Sequence, residues 1–111
     1  MKNSFTAVIE QANTYSASFE TEPYETAWAS EARWFIRVLE LDGDGAAITF
    51  HPQISPDGLV WCDEGSTALH ITEPGLVSFP LRDFGHWLRL RADYAGSGTV
   101  AKVLIYLALK E

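Results

Sequence analysis

The sequence has only one cysteine, few basic residues and no long apolar run, and each shortage excludes a kind of stabilisation or a class of partner. Its one cysteine, Cys62, cannot form an internal disulfide, so packing must stabilise the fold. Eight lysine and arginine residues against fifteen acidic ones give a net charge of -7, which disfavours binding to nucleic acid. No run of about 18 apolar residues occurs, and no secretion signal is visible at the start. We therefore expect neither nucleic acid nor a membrane as a partner.

The chain is well supplied with apolar and aromatic residues, at 47% and 13% of the total. This composition excludes a disordered chain and suits β-structure, in which aromatic side chains are common. A length of 111 residues is that of one domain with a real core. We therefore predict a single domain over residues 1–111, with residues 1–13 as a candidate N-terminal arm.

Turn signals recur at the spacing of short antiparallel strands. Apolar side chains alternate with polar ones between these signals, as along Leu88, Leu90 and Ala92, and this period is that of a strand with one buried face. Residues 27–40 are also compatible with a helix, although their aromatic and β-branched content favours a strand. We predict an all-β fold of about eight strands. The turn signals are Asn13, Glu22-Pro23, Asp42-Gly43-Asp44-Gly45, Pro56-Asp57-Gly58, Glu64-Gly65-Ser66, Glu73-Pro74-Gly75 and Gly96-Ser97-Gly98.

The segment from Ser55 to Trp61 contains each element of a β-hairpin corner. A proline follows Ser55 and fixes φ, Asp57 can bind its own backbone, and Gly58 accepts positive φ without steric cost. Trp61 then begins the returning strand, where its ring would cover the turn and fix the register. The hairpin is a structural prediction, since none of these residues forms a catalytic pattern.

No pattern of residues indicates catalysis, a metal or a cofactor, and we predict none of the three. The histidines at 51, 70 and 86 have no metal-ligand spacing to one another or to Cys62. Cys62 is predicted to be a buried structural thiol, because no basic neighbour lowers its pKa. Asp42 and Asp44 suggest a calcium loop, but the further ligands of an EF-hand are missing, and Asp-Gly pairs are common in hairpins.

The final strand is the main indication of assembly. Its outer row, Leu104, Tyr106 and Ala108, is apolar although the opposite row already forms a core face. Such a strand is either covered by its own chain or meets a partner. We predict an oligomer or partner interface formed by this row and by an N-terminal run. That run consists of Phe5, Ala7 and Ile9.

A second candidate surface lies on the strand before the last. Arg89 and Arg91 follow Trp87 at alternating positions, so the three side chains share one face. A planar guanidinium and an indole ring can bind a carboxylate or a sugar, and this face is the ligand site of an alternative hypothesis. The competing interpretation is a solvated strand whose arginines pair with nearby carboxylates.

Two segments resemble small β-sandwich proteins of jelly-roll or discoidin-like type. Ser55–Trp61 matches an S-x-D-G-x-x-W hairpin, and Phe84–Arg91 followed by Val103–Leu107 is similar to their last two strands. The resemblance implies an antiparallel β-sandwich of jelly-roll type. It also implies a non-enzymatic phage capsid decoration (cement) protein, in the virion or the cytoplasm, that binds a capsid lattice as a homo-oligomer. The alternative it implies is a carbohydrate-binding module.

Overall fold

The computed structural model describes residues 4–65, 68–82 and 84–111. Eight strands lie within these ranges, all paired antiparallel, and they confirm the predicted all-β fold and strand number; residues 31–40 belong to a strand rather than a helix. Hydrogen bonds join them in a single sheet, and a jelly-roll sandwich is not shown. No helix of the described part is long and apolar enough to cross a bilayer. The strands are β1 (Ser4–Tyr15), β2 (Phe19–Glu20), β3 (Tyr24–Glu25), β4 (Glu31–Ser55), β5 (Cys62–Asp63), β6 (Leu69–Ile71), β7 (Gly75–Arg82) and β8 (Trp87–Lys110).

Strands β4 and β8 form the centre of the sheet and pair along nearly their whole length. Their ladder runs from Glu31 opposite Lys110 to Ser55 opposite Trp87. In the first half of the sheet, β4 residues 31–42 and β8 residues 100–110 are flanked by β7 and β1. In the second half, β4 residues 46–55 and β8 residues 87–95 are flanked by β5, β6, β2 and β3.

A glycine corner separates these two halves and corrects two predicted turns. The segments 42–45 and 96–98 do not reverse the chain, because Asp44 pairs with Ser97 and both strands continue. Four glycines there have positive φ, at positions 43, 45, 96 and 98. A straight strand of 25 residues would measure about 80 Å at about 3.3 Å per residue. The longest extent of the molecule is 47 Å, so the central pair must bend.

The core is built from alternate residues of both halves. Trp34 and Ile36 of the first half belong to the same buried cluster as Ile48 and Phe50 of the second half. The predicted inner row of β8 is confirmed, since alternate residues from Ala101 to Leu109 are all fully buried. Because side chains alternate along a strand, the intervening residues form an outer face on each half, and these faces carry the candidate sites.

Candidate functional site

The hairpin loop, residues 55–61, joins two antiparallel strands as the sequence predicts, and Gly58 has the predicted positive φ. Gln53 and Ile54 pair with Asp63 and Cys62, so β4 and β5 form a short hairpin around it. The Ser55 hydroxyl oxygen accepts hydrogen bonds from the backbone N–H groups of Asp57 and Gly58, at 3.2 and 2.8 Å. The loop is therefore held by side chains of its own sequence, over more residues than a tight two-residue turn.

The ring that covers Gly58 belongs to Trp87 and not to Trp61, which corrects the prediction for this loop. A Cβ placed on Gly58 would lie 3.1 Å from two atoms of the Trp87 ring. Trp61 instead precedes β5 and packs its ring on the Arg89 guanidinium, whose Cζ lies 4.4 Å from the ring centroid. Ser55 pairs with Trp87 across β4 and β8, and this long-range register brings the Trp87 ring to the loop.

We expect Gly58→Val to lower the free energy of unfolding by about 1 to 3 kcal/mol, the usual cost of a strained backbone position. Gly58 has a φ of +80°, which a β-branched residue adopts only with strain, and the new side chain would press on Trp87. Urea unfolding followed by circular dichroism measures the change. Gly65→Val is the control for positive φ alone, because nothing described lies within 4 Å of a Cβ placed on that residue. Equal losses in both variants would contradict the contact with Trp87.

Asp57 gives the hairpin loop a dependence on pH. Its Oδ1 accepts hydrogen bonds from the N–H groups of Leu59 and Val60 and from the Ser55 hydroxyl, and these bonds hold its pKa below the ordinary value of 3.8. A carboxyl group with a lowered folded-state pKa stabilises the fold above its unfolded pKa, and this contribution is lost as pH falls through the folded pKa.

We therefore expect Asp57→Asn to have a lower melting temperature than the wild type at neutral pH, and the difference to shrink below about pH 4, where the wild-type carboxyl group becomes protonated. Melting curves of both proteins from neutral pH to about pH 2 measure this difference. A gap that stays constant over the whole range would show that the charge of Asp57 does not stabilise the loop.

The predicted ligand residues lie together on the outer face of the second half. Arg89 makes three contacts there with side chains of the same chain. Its Nε donates to Gln53 Oε1 at 2.8 Å, its Nη1 lies 3.4 Å from Glu20 Oε2, and its Cζ packs on the Trp61 ring. Arg91 lies 3.3 Å from Asp93. The two arginines thus pair with neighbouring carboxylates, as the interpretation of a solvated strand expects.

The predicted interface residues divide between the two faces of the first half. Phe5 and Ala7 pair with Leu109 and Leu107, on the core side, and β1 lies against β8 of the same chain. The outer row of β8, Leu104, Tyr106 and Ala108, is half-buried. Its neighbours from β1 are Thr6 and Val8, whereas Ile9 lies where the ladder shifts register. Whether this row meets a partner stays a prediction.

The sequence did not predict which side chains of the neighbouring strands surround this row. We call the row together with these neighbours the basic face. Paired residues of antiparallel strands share a face, so Phe35 lies beside Tyr106, and Arg37 beside Leu104 and Leu76. The face includes five of the chain's eight lysine and arginine residues. Its cations are Arg33, Arg37, Arg82, Lys102 and Lys110, and its apolar residues are Val8, Phe35, Leu76, Leu104, Tyr106 and Ala108.

Few charges on this face are neutralised within the chain. Of the five cations, only Arg82 forms an ion pair with a described residue, at 3.8 Å from Glu31. Arg33 donates to the Ser78 hydroxyl at 2.7 Å. Two of the apolar side chains are largely exposed, Leu76 at 65% and Val8 at 53%. Two carboxylates share the face, Glu31 opposite Arg82 and Lys110, and Glu40 opposite Lys102. The basic face thus combines accessible apolar surface with an excess of three positive charges on a chain whose net charge is -7.

The remaining titratable candidates are dispersed. Cys62 is exposed, which corrects the predicted burial, because it lies on the two-residue strand β5 at the edge of the sheet. Asp42 and Asp44 lie exposed at the glycine corner. Among residues 4–65, 68–82 and 84–111, no group of three or more histidine, cysteine or acidic side chains is arranged to hold a metal.

The sequence also did not predict a polar cluster in β1, whose central residue, Glu10, is buried. Glu10 is 6% exposed, and its Oε2 accepts hydrogen bonds from Asn13 Nδ2 at 2.8 Å and from the Tyr15 hydroxyl at 2.6 Å. Burial and the bond to Glu10 raise the pKa of Tyr15 to about 12. Register shifts and a positive φ at Ala12 mark a β-bulge here, which turns these polar groups towards one another. The cluster fixes the irregular part of the edge strand.

Comparisons with known proteins give information on the fold of this chain and not on its function. No protein-family model and no curated protein matches the chain. Its structure is similar to the PBSX exported protein XepA, at a TM-score of 0.58 and 11% identity, over 98% of this chain and 36% of that one. It is similar to dimeric latent PorU from Porphyromonas gingivalis, at a TM-score of 0.56 and 13% identity, over 99% of this chain and 13% of that one. A third similarity, to FlhE, has a TM-score of 0.46 at 12% identity, over 98% of this chain and 95% of that one. This chain therefore spans about a third of XepA, and at these identities the likeness shows a shared all-β fold alone.

Proposed function

We propose that this protein is a non-enzymatic structural protein of a phage particle, a capsid decoration (cement) protein that docks on a protein lattice as a homo-oligomer. Its place is then the virion, and before assembly the cytoplasm. The observation that carries the proposal is the basic face, an accessible apolar surface with cations around and between its apolar side chains. The structural similarity to XepA, a protein of the phage PBSX, supports the phage context.

The composition of the basic face favours a protein surface as its partner. Apolar side chains at the centre of a contact and charged ones at its rim are typical of protein interfaces. Two copies that stacked these faces on each other would bring ten cations together with only four carboxylates, and like charges across an interface are costly. A lattice whose docking surface carries acidic groups fits the basic face without that repulsion. The remaining surface is strongly acidic, so it disfavours packaged nucleic acid.

The alternative, a carbohydrate-binding module, has less support from the outer face of the second half. Trp87, Arg89 and Arg91 do share that face, as the sequence predicts. However, the Arg89 guanidinium lies on the Trp61 ring, and the Trp87 ring packs against Gly58. Both indole rings therefore already cover part of this chain, and less ring surface is free to stack on a sugar.

The proposal is tested by sedimentation with capsid shells assembled from the major capsid protein of the phage whose genome encodes this chain. The wild type should sediment with the shells, and binding should weaken as salt rises, because contacts with the cations are screened. Leu76→Glu places a carboxylate at the most exposed apolar position of the basic face, and should weaken binding by about tenfold or more.

Ala17→Glu is the matched control, because it adds the same charge at an exposed site outside the strands. It should bind as the wild type does. If neither the wild type nor the control sediments with the shells, the decoration hypothesis is wrong. Binding of a polysaccharide that is lost in Trp87→Ala would then favour the carbohydrate-binding alternative.

A further inference from the structure

The tip of the hairpin loop presents two apolar side chains to solvent, and we call Leu59 and Val60 the knob. Leu59 is 83% exposed and Val60 is 72% exposed, more than any other large apolar side chain of the described chain. The knob is not a loose loop, since Asp57 Oδ1 accepts hydrogen bonds from both backbone N–H groups, at 2.9 and 3.1 Å. A rigid apolar projection loses little conformational entropy on binding, which is the property of an interface anchor.

Negative charge surrounds the knob. Asp57 precedes it and Asp63 follows it, and both side chains are exposed. Arg89, whose guanidinium packs on Trp61 beside the knob in sequence, is already held by Gln53 and Glu20. A surface that receives the knob should therefore offer an apolar floor with positive charge beside it, and an anionic membrane or nucleic acid would repel it.

The same chain carries such a surface at one end of its basic face. A groove of about 250 Å³ lies between the start of β4, the end of β7 and the end of β8, and its lining includes the apolar residues Phe35, Pro80 and Ala108. The lining also includes the cations Arg33, Arg82 and Lys110, and one carboxylate, Glu31. An apolar cavity of about 150 Å³ can hold benzene, so this groove has room for two aliphatic side chains.

We propose that the knob of one copy inserts into the groove of a second copy of this chain. The contact pairs an apolar projection flanked by acidic residues with a groove lined by apolar side chains and cations, so the two are complementary in charge. The proposal deepens the proposed function, on which its biological role rests, by assigning the contact that forms the homo-oligomer. Leu76, Leu104 and Tyr106 of the basic face do not line the groove, so this part of the face stays available for the lattice.

Sedimentation velocity over a range of protein concentrations tests the contact. The wild type should self-associate at low salt, and less so as salt rises. Leu59→Asp should weaken self-association by about 30-fold or more, the loss typical of an interface anchor. Thr72→Asp, at an exposed position outside the strands, adds the same charge as a control and should associate as the wild type does. Circular dichroism confirms that each variant is folded.

A mixing experiment identifies the two halves of the contact. Leu59→Asp keeps the groove but not the knob, whereas Arg82→Glu keeps the knob and reverses a charge of the groove that is 76% exposed. Each variant alone should be monomeric, and the mixture should form a one-to-one dimer. A monomeric wild type, association unchanged in Leu59→Asp, or a mixture that stays monomeric would each overturn the proposal. Sedimentation of monomeric Leu59→Asp with capsid shells tests the proposed function separately.

Discussion

Gly96→Ala is expected to unfold this protein or to lower its free energy of unfolding by more than about 3 kcal/mol, which is a large part of the stability of a small domain. Gly96 lies at the glycine corner with a φ of +97°. A Cβ there would lie 2.6 Å from the carbonyl oxygen of Gly45 and 2.8 Å from that of Asp44. Both contacts are to backbone, which cannot move aside without breaking the central pair.

Gly98→Ala separates the strain of a positive φ from the steric clash with backbone, the two causes of the loss expected for Gly96→Ala. Gly98 also has a positive φ, at +65°, but nothing described lies within 4 Å of a Cβ built on it. It should therefore cost only the backbone strain, about 1 to 2 kcal/mol. Urea unfolding of the two variants beside the wild type gives both values. Similar losses would show that the strands do not approach each other closely at the corner.

Trp34→Ala should be the second most damaging substitution, with a loss of about 3 to 5 kcal/mol. Trp34 is fully buried and is the largest such side chain of the core. It lies between Phe79 of β7 and Leu107 of β8, so its removal leaves a cavity bounded by three strands. The melting temperature and the urea midpoint should both fall steeply.

Trp34→Phe should lose much less, although it also removes buried volume. No described residue accepts a hydrogen bond from the buried Trp34 Nε1. A buried donor without a partner costs about 1 to 3 kcal/mol, and phenylalanine removes that cost while leaving a smaller cavity than alanine does. A loss as large as that of Trp34→Ala would show that the indole N–H does have a partner. The comparison uses the same urea unfolding measurement.

Local pattern was enough to predict the faces of the strands. Alternation along Leu88, Leu90 and Ala92 identified side chains that are all fully buried. The same reasoning failed at the glycine corner, because Asp-Gly and Gly-Ser-Gly segments have the same composition in a hairpin and in a bent strand. Only the pairing of Asp44 with Ser97 shows that the chain continues there, and that pairing joins segments far apart in sequence.

At the candidate surfaces too, contacts between residues close in sequence were predicted, and contacts set by long-range strand pairing were not. The hydrogen bonds of Asp57 to its own loop are local, and the sequence indicated them correctly, whereas those of Ser55 were not predicted. The ring on Gly58 depends on the register between β4 and β8, so Trp61 was the wrong choice. The basic face also depends on that register, since it combines cations of β4, β7 and β8 that are dispersed along the sequence.

The continuous pairing of β4 with β8 also has a consequence for folding kinetics. Even the nearest partners along this ladder, Ser55 and Trp87, are separated by the whole of β5, β6 and β7. No local hairpin can therefore nucleate the central pair, and a long loop must close before its first contacts form. Proteins dominated by such distant contacts fold in milliseconds to seconds. During that time the two longest strands have unpaired edges, so refolding at high concentration should favour aggregation.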